Sequence, residues 1–329
     1  GNSIQRIDAI KNFGLDKIHW ITVGDSRIDW GVNHQKIKSF QSLKSENHIR
    51  MSFAGANYDT MKIVISWSIE NMPNLKGVFI GVNEINIFGH NISQKSQELS
   101  WPFINLNKEH FGLLESSDTE IKTGLSSAWK IYIKDIRSFF QNPLRHMNSI
   151  DEFQTKSQSK ILIYNRDMPR NVCNYHLESL KECQTEALKL KKENANLKRI
   201  AKVIVKFCGG SLAEKRLKKK SRRDKSRVQK KWDKLISMML RNNIQVNFVI
   251  LPSHKIFEYS YDLVDYKAFL NQILESYNHD NLFKVINLTD IFNQPSSYSM
   301  CNFWSDQTHY SNVGKSIITE KIIESLRNR

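Results

Sequence analysis

Five short apolar runs constrain the fold of this chain more than any other feature of its sequence. Each run spans six to eight residues and is rich in Ile, Val and Phe. Hydrophobicity that is nearly continuous, rather than alternating, is typical of parallel strands that are covered on both faces. The runs are residues 17–23, 48–53, 76–82, 244–251 and 283–288.

Amphipathic patterns separate and follow these runs. In four stretches the apolar residues recur at steps of three and four, so each stretch predicts a helix with one buried face. Strands that alternate with helices predict an α/β fold with a mostly parallel sheet. The four stripes begin at Met61, at Val228, at Tyr266 and within residues 314–326.

A long insertion interrupts this alternation between the third and fourth runs, which are separated by roughly 160 residues. One crossover helix needs far fewer residues. We therefore divide the chain into a core, residues 1–90 and 241–329, and an insertion, residues 91–240. Within the insertion, residues 176–240 predict a basic helical hairpin whose return arm leads into the fourth strand. Its first arm carries a short heptad seam of Leu180, Cys183, Ala187, Leu190, Asn194, Leu197 and Ala201.

The formal net charge of +16 is distributed unevenly along the chain. Most residues from Lys215 to Lys231 are Lys or Arg, and such a run attracts phosphates, carboxylated polymers or an anionic membrane surface. A solvated helix surface without a partner is the alternative interpretation. Nucleic acid is not favoured as a partner, because the chain has no recognisable nucleic-acid-binding motif.

Two further observations concern the compartment and metals. No apolar run reaches the roughly 18 residues that span a bilayer, and no signal peptide opens the sequence, although a leader or anchor before these residues stays open. Cys173, Cys183, Cys208 and Cys301 lack the paired spacing of zinc sites. We therefore expect no metal and no cofactor, and leave the disulfide state of the cysteines undetermined.

Four polar blocks follow the predicted strands in a fixed order. GDS, which ends at Ser26, follows the first run, FAGAN with Gly55 the second, and GVNE with Asn83 the third. SDQTHYSNVGK, with Asp306 and His309, lies close to the C-terminus. Because the carboxyl ends of parallel strands meet at one edge of a sheet, we expect these blocks to converge there.

This ordered set of blocks resembles the SGNH (GDSL-type) hydrolase superfamily. The resemblance covers residues 17–90 and 241–325 and leaves the insertion outside. It implies a three-layer α/β/α sandwich with a mostly parallel five-stranded sheet, the flavodoxin-like SGNH fold.

The resemblance also implies a role for each residue of the blocks. A serine hydroxyl needs a neighbouring base, and His309 would remove the proton of Ser26 while Asp306 orients the imidazole. The oxyanion of the tetrahedral intermediate would be bound by the backbone N–H groups of Ser26 and Gly55 and by the side-chain amide of Asn83.

Each block taken alone has an ordinary alternative. Ser26 and Gly55 could be turn residues, Asn83 a loop cap, and Asp306 with His309 a surface pair at a helix start. His254, which follows the fourth run, is an alternative base or a substrate-binding group. It is the order of the blocks that favours a catalytic site.

Three residues within or beside the polar blocks depart from the family pattern or bear on the substrate. Arg27 stands where leucine is common, and Glu84 stands where the third block usually has aspartate. We expect Arg27 and Asp29 to flank the mouth of the pocket and to meet an anionic or polar substrate. This expectation makes a plain lipid esterase less favoured.

The long insertion and the C-terminal block look more specifically like the cell-envelope members of the superfamily, such as alginate-type O-acetyltransferases. The resemblance implies a serine-dependent O-acyl esterase or O-acyltransferase, acting through an acyl-serine on a carbohydrate or cell-envelope polymer, in the periplasm or at the cell surface. Two alternatives stay open. One is a small-molecule or lipid esterase with the insertion as a lid, and the other is an anionic-polymer-binding protein on an SGNH scaffold.

Overall fold

Five parallel strands form the central sheet of the protein. The structure is a computed structural model that describes residues 9–42, 45–53, 55–83, 87, 225–253, 261–292, 303–305 and 309–327. Every strand lies within one of the five apolar runs. The strands are β1 (Trp20–Val23), β2 (His48–Arg50), β3 (Gly77–Val82), β4 (Gln245–Ile250) and β5 (Phe283–Asn287).

The strand order is β2-β1-β3-β4-β5, and each neighbouring pair is parallel. Register is direct: Ile21 lies opposite Ile49 on one side and Val78 on the other. The predicted α/β sandwich with a mostly parallel five-stranded sheet is thus confirmed, and its order is that of flavodoxin-like folds.

Helices cover both faces of this sheet. They are α1 (Ser26–Gly31), α2 (His34–Ser42), α3 (Tyr58–Asn71), α4 (Lys225–Arg241), α5 (Tyr261–Tyr277) and α6 (Asn312–Arg327). Apolar side chains of α3, α4 and α5 belong to one core cluster, and those of α1, α2 and α6 belong to a second cluster on the opposite face. Strand β1 contributes to both clusters, with Ile21 and Val23 in the first and Trp20 in the second. Two covered faces explain why the strand sequences are almost continuously apolar.

Helix α4 joins the core although its residues fall mostly within the predicted insertion. Val228, Trp232 and Met239 are buried at one-turn and two-turn spacing in the same cluster as the sheet residues. On the C-terminal side of the insertion, the chain thus packs in the core from Val228 onward.

Several sequence predictions lie outside the described residues. These are the heptad seam, the four cysteines, His254, Glu84, Asp306 and the part of the basic segment before residue 225. Of the helices that the structure describes, none is both long and apolar enough to cross a membrane. The same ranges contain no group of His, Cys, Asp or Glu side chains arranged to hold a metal ion.

The topology places one crevice at the carboxyl edge of the sheet. After β1 the chain turns to β2 on one side, and after β2 it returns to β3 on the other side of β1. Ligands of open α/β sheets bind at such a reversal, outside the carboxyl ends of the two strands. Ser26 comes directly after β1, and Asn83 comes directly after β3.

Candidate active site

A tight turn from β1 into α1 presents Ser26 at the first position of the helix. Gly24 has a φ of 152°, and a Cβ at this position would lie 2.5 Å from Cγ2 of Ile28 and 3.0 Å from the carbonyl oxygen of Gly81. Both the backbone conformation and the lack of space therefore require glycine here. The glycine of the GDS sequence thus permits the sharp turn that presents the serine.

Asp25 joins this turn to the end of β3. Its side chain is 5% exposed and caps α1 by accepting a hydrogen bond from the Arg27 backbone N–H at 3.0 Å. Its second carboxylate oxygen accepts a hydrogen bond from the side-chain amide of Asn83 at 2.8 Å. Because a carboxylate only accepts hydrogen bonds, this bond turns the nitrogen of the Asn83 amide toward Asp25 and fixes the orientation of the side chain.

The Ser26 hydroxyl and the His309 imidazole lie in hydrogen-bond contact. Nε2 of His309 is 3.0 Å from Oγ of Ser26, although 283 positions separate the two residues in the chain. In the tautomer that carries its proton on Nδ1, the imidazole accepts a hydrogen bond from the hydroxyl. Both side chains are only partly buried, so a substrate can reach the oxygen from solvent.

A braced loop holds His309 at the end of β4. The Ser305 backbone N–H donates to the His309 carbonyl at 2.8 Å, and Trp304 and Tyr310 form an antiparallel bridge. The Tyr310 hydroxyl donates to the Pro252 carbonyl, just after β4, at 2.8 Å. The His309 carbonyl and the Tyr310 side chain thus anchor the histidine to Ser305 and to the end of β4.

Trp30 is a neighbour of His309 that the sequence analysis did not select. The indole and imidazole centroids are 4.6 Å apart, and the ring planes are inclined by 40°. Trp30 follows Ser26 by four positions and so lies on the same face of α1. This spacing is the one signal in the sequence that points to Trp30.

Gly55 lies in the turn that follows β2. Its φ of 84° is a left-handed conformation that favours glycine, and the residue is exposed. The Phe53 backbone N–H donates to the Gly24 carbonyl at 2.9 Å, which ties the chain just before this turn to the chain just before Ser26. An oxyanion-hole role for the Gly55 N–H remains a prediction from the resemblance.

The sequence predicts that Arg27 and Asp29 flank the open mouth of the pocket. The structure instead buries both side chains. Their side chains are 1% and 3% exposed. Asp29 accepts a hydrogen bond from the Ser52 hydroxyl at 2.8 Å and lies 3.2 Å from Nη1 of Arg50 on β2. The helical turn explains the difference: residues 26 and 30 face outward, and residues 27–29 turn toward the sheet.

Two buried histidines lie beneath α1. The His34 side chain contacts the Ile28 carbonyl at 3.1 Å, and the His48 side chain contacts the Thr22 hydroxyl at 2.8 Å. Burial, aided by the charge of Arg50, holds the pKa of His34 well below its usual value. Burial, aided by Lys38, lowers the pKa of His48 from 6.5 to about 3. Both rings are therefore neutral at pH 7 and serve the packing beneath the site.

Two of the predicted site residues are not described by the structure. Asp306 and His254 lie outside the described ranges, so the orienting role of Asp306 and the place of His254 at the site remain predictions. Among the side chains of the four blocks, the structure describes contacts of Ser26 with His309 and of Asp25 with Asn83.

Comparisons with known proteins give no family. No family model matches the sequence, and no curated protein matches it. Among solved structures, a proposed platelet activating factor from Streptococcus pneumonia has a TM-score of 0.42 and 8% identity over 98% of this chain and 91% of that chain. The lipase Lip_vut3 from a goat rumen metagenome has a TM-score of 0.40 and 11% identity over 94% of this chain and 97% of that chain. At such low similarity, function has to be argued from the geometry of the site.

Proposed function

We propose that this protein is a serine-dependent O-acyl esterase or O-acyltransferase of the SGNH type. The contact of 3.0 Å between Oγ of Ser26 and Nε2 of His309, at the carboxyl edge of a parallel sheet, carries the proposal. A serine with a base in hydrogen-bond reach is the minimum that nucleophilic acyl transfer requires.

The proposed reaction proceeds in two half-reactions. His309 takes the hydroxyl proton while Oγ of Ser26 attacks the acyl carbonyl, and the imidazolium then protonates the departing alcohol. The product of this half is an acyl-Ser26 ester. Water or an acceptor hydroxyl attacks the ester next and passes its proton to His309, which then protonates Oγ of Ser26 as that oxygen departs. Hydrolysis and transfer differ only in which hydroxyl performs the second attack.

Hydrogen-bond donors that converge on the reacting carbonyl would lower the barrier of both halves. We assign this role to the backbone N–H groups of Ser26 and Gly55 and to the Asn83 amide, which the hydrogen bond to Asp25 orients. Preorganisation by Asp25 supports the assignment, because an amide that is already oriented needs no rearrangement as charge develops. Loss of one such donor typically lowers the rate by about a hundred- to a thousandfold.

For the acceptor, we propose a carbohydrate or cell-envelope polymer, with acetyl as the acyl group. The support is the resemblance to cell-envelope members and the basic segment between Lys215 and Lys231. Lys231 contacts the start of α3: its Nζ is 3.3 Å from Asp59 and 5.4 Å from the centre of the Tyr58 ring. Since α3 starts just after Gly55, the end of the basic segment reaches the same edge of the sheet as Ser26. An anionic polymer bound by this segment would therefore pass near the site.

Hydrolysis of p-nitrophenyl acetate tests the nucleophile and the base. We expect Ser26→Ala and His309→Ala each to lower kcat by about a thousandfold or more, because each removes a member of a cooperative pair. Matched controls are Ser39→Ala and His279→Gln, at exposed positions on α2 and just after α5, which should retain full turnover. Unchanged turnover in both site variants would refute the proposed function.

The acceptor is tested on the acyl-enzyme. Mass spectrometry of the protein after brief incubation with the ester should show one acetyl group on the peptide that contains Ser26. Chasing the loaded protein with water alone, with a neutral glycan and with an anionic glycan then separates hydrolysis from transfer. Acetyl recovered only as acetate in all three chases would contradict the transferase form and leave the esterase form standing.

A further inference from the structure

We propose that Trp30 is a positioning residue for His309: its indole holds the imidazole against Ser26 and stabilises the imidazolium formed during the reaction. The proposal rests on the proposed function, because it requires His309 to take the Ser26 proton. It adds a residue that belongs to none of the four polar blocks.

The distance between the rings supports an electrostatic role as well as packing. With centroids 4.6 Å apart and planes inclined by 40°, the imidazole lies well within the roughly 6 Å over which an indole attracts a cation. A neutral imidazole gains little from the charge distribution of the indole, whereas an imidazolium gains more. Since His309 becomes charged only after it takes a proton, the contact is stronger in the transition state than in the resting enzyme, which is the condition for catalysis.

The backbone holds this contact from both sides. On α1, Asp29 next to Trp30 is buried in the ion pair with Arg50, which fixes the helix on β2. On the histidine loop, the Tyr310 ring packs so closely on Gly31 that a Cβ there would lie 2.3 Å from it. The pairs 30–31 and 309–310 therefore dock side by side. Trp30 is partly exposed, so burial alone does not explain its place.

The charged residues of α1, of the start of α6 and of the sequence before His309 are the same whichever residue occupies position 30. Asp25, Arg27 and Asp29 lie on or beside α1, Lys315 lies on the first turn of α6, and Asp306 precedes His309 by three positions in the sequence. A comparison of wild type with position-30 variants therefore isolates the effect of the indole.

The first test is the pH profile of p-nitrophenyl acetate hydrolysis in Trp30→Leu and Trp30→Phe. We expect Trp30→Leu to lower kcat by about tenfold with little change in KM. The midpoint of the acid limb of kcat/KM should move about half a pH unit or more to lower pH, because the protonated base has lost its aromatic neighbour. Trp30→Phe should restore part of both effects, since phenylalanine offers a weaker π face.

The control for this test is Trp67→Phe, a change of the same kind on α3, on the opposite face of the sheet. It should leave the acid limb in place. A merely structural role for Trp30 would lower activity without moving the limb, so an unmoved limb in Trp30→Leu and Trp30→Phe overturns the proposal. Thermal unfolding of both variants identifies any loss that is due to misfolding, and Trp30→Phe keeps the test valid if Trp30→Leu does not fold.

A second readout does not depend on catalysis. A protonated imidazole in contact with an excited indole quenches its emission, so wild-type fluorescence should fall as His309 becomes protonated. The chain has seven tryptophans, so the pH-dependent step is measured in the total emission of each variant and compared with the step of wild type. The pH-dependent step should vanish in Trp30→Phe and His309→Gln and persist in Ser26→Ala and Trp67→Phe.

The two readouts separate failure of this inference from failure of the proposed function. A wild-type protein that shows the fluorescence step but no esterase activity would contradict the proposed function alone. An active wild type whose step survives in Trp30→Phe or in His309→Gln would contradict the role of Trp30 alone.

Discussion

At the scale of single residues, the absence of a side chain at Gly31 allows the Tyr310 ring, and with it the neighbouring His309, to pack closely on α1. Gly31 sits in α1 and its φ is not in the left-handed region, so the requirement for glycine is steric. A Cβ would lie 2.3 Å from Cδ2 and 2.7 Å from Cε2 of Tyr310. That ring cannot move away freely, because its hydroxyl is bonded to the Pro252 carbonyl and the ring packs against Trp304, with centroids 4.6 Å apart.

Gly31→Ala should therefore lower both stability and activity. Alanine is favoured over glycine inside a helix by about 1 kcal/mol, but overpacking of a fixed ring costs about 1–3 kcal/mol, so the steric effect prevails. We expect a net loss of about 1 kcal/mol in urea unfolding and a several-fold fall in kcat for p-nitrophenyl acetate, because His309 moves with Tyr310. Ser39→Ala, at an exposed position of α2, is the control and should change neither. A Gly31→Ala protein as stable and active as wild type would show that the loop adapts.

Residue chemistry could be predicted from the sequence at some of these positions only. Ser26 and His309 are selected by the fixed order of the blocks, and the structure brings their side chains together, while their catalytic roles stay a prediction. Arg27 and Asp29 were assigned to the pocket mouth because they adjoin Ser26, yet adjacency in the sequence does not determine which way a helical residue faces. The contact of Trp30 with His309 joins two distant segments, so the spacing of four positions from Ser26 indicates the face of α1 on which Trp30 lies but not its partner.

At the scale of elements, β2 is unusual because polar side chains occupy one of its buried faces. His48 and Arg50, followed by Ser52, point toward α1 and α2, whereas Ile49 and Met51 enter the opposite apolar cluster. Partners on neighbouring elements compensate the cost of burying these groups, as the ion pair between Arg50 and Asp29 does. This strand carries the turn that leads to Gly55, so the stability of β2 also affects the site.

The buried His48 should make the protein sensitive to acid. Its pKa is about 3 in the folded protein, against 6.5 when unfolded. Because the folded value is the lower one, the contribution to stability is complete above pH 6.5 and is lost as the pH falls from 6.5 toward 3. The linkage amounts to about 2 kcal/mol between pH 7 and pH 5. We expect His48→Gln, which can keep the hydrogen bond to Thr22, to flatten this part of the dependence, measured by urea unfolding at each pH.

The second buried histidine, His34, should also make the free energy of unfolding depend on pH. The pKa of His34 is also lowered, by burial and then by Arg50, so part of the acid sensitivity should survive in His48→Gln. His279→Gln, at an exposed position, is the control and should leave the pH dependence of the free energy of unfolding as in wild type. Identical slopes for His48→Gln and wild type would mean that His48 does not set the acid limit.

At the scale of the whole molecule, the sheet was predictable from the sequence, whereas the packing partner of α4 was not. Each strand lies inside a predicted run, because a strand covered on both faces is apolar along its own sequence. The stripe of α4 was also visible, but an amphipathic helix packs equally well on a sheet or on the other arm of a hairpin. Only the tertiary contacts of Trp232 and Met239 with the core assign α4 to the sheet.

The placement of α4 brings the end of the basic segment to the carboxyl edge of the sheet. The helix precedes β4 and runs antiparallel to it, so its first turn lies at the carboxyl edge of the sheet, where Ser26 follows β1. The end of the basic segment is anchored there by Lys231, whose carbonyl also accepts a hydrogen bond from the Tyr58 hydroxyl at 2.6 Å. Positive charge that is concentrated beside a site raises the local concentration of anionic ligands, and the effect is screened by salt.

Binding of an anionic polymer should therefore depend on salt and on this segment, whereas hydrolysis of a small neutral ester should not. With dextran sulfate as the probe, we expect the Kd to rise at least tenfold between about 50 and 300 mM NaCl, because bound counterions are released on association. Replacing the Lys and Arg residues between Lys215 and Lys231 by Ser should weaken binding at low salt and leave turnover of p-nitrophenyl acetate unchanged. The control is Lys62→Ser with Lys267→Ser, exposed lysines of α3 and α5, compared with a variant that loses two cations from the basic segment. If both pairs of substitutions weaken binding equally, the polymer responds to the net charge of +16 and not to a site built beside Ser26.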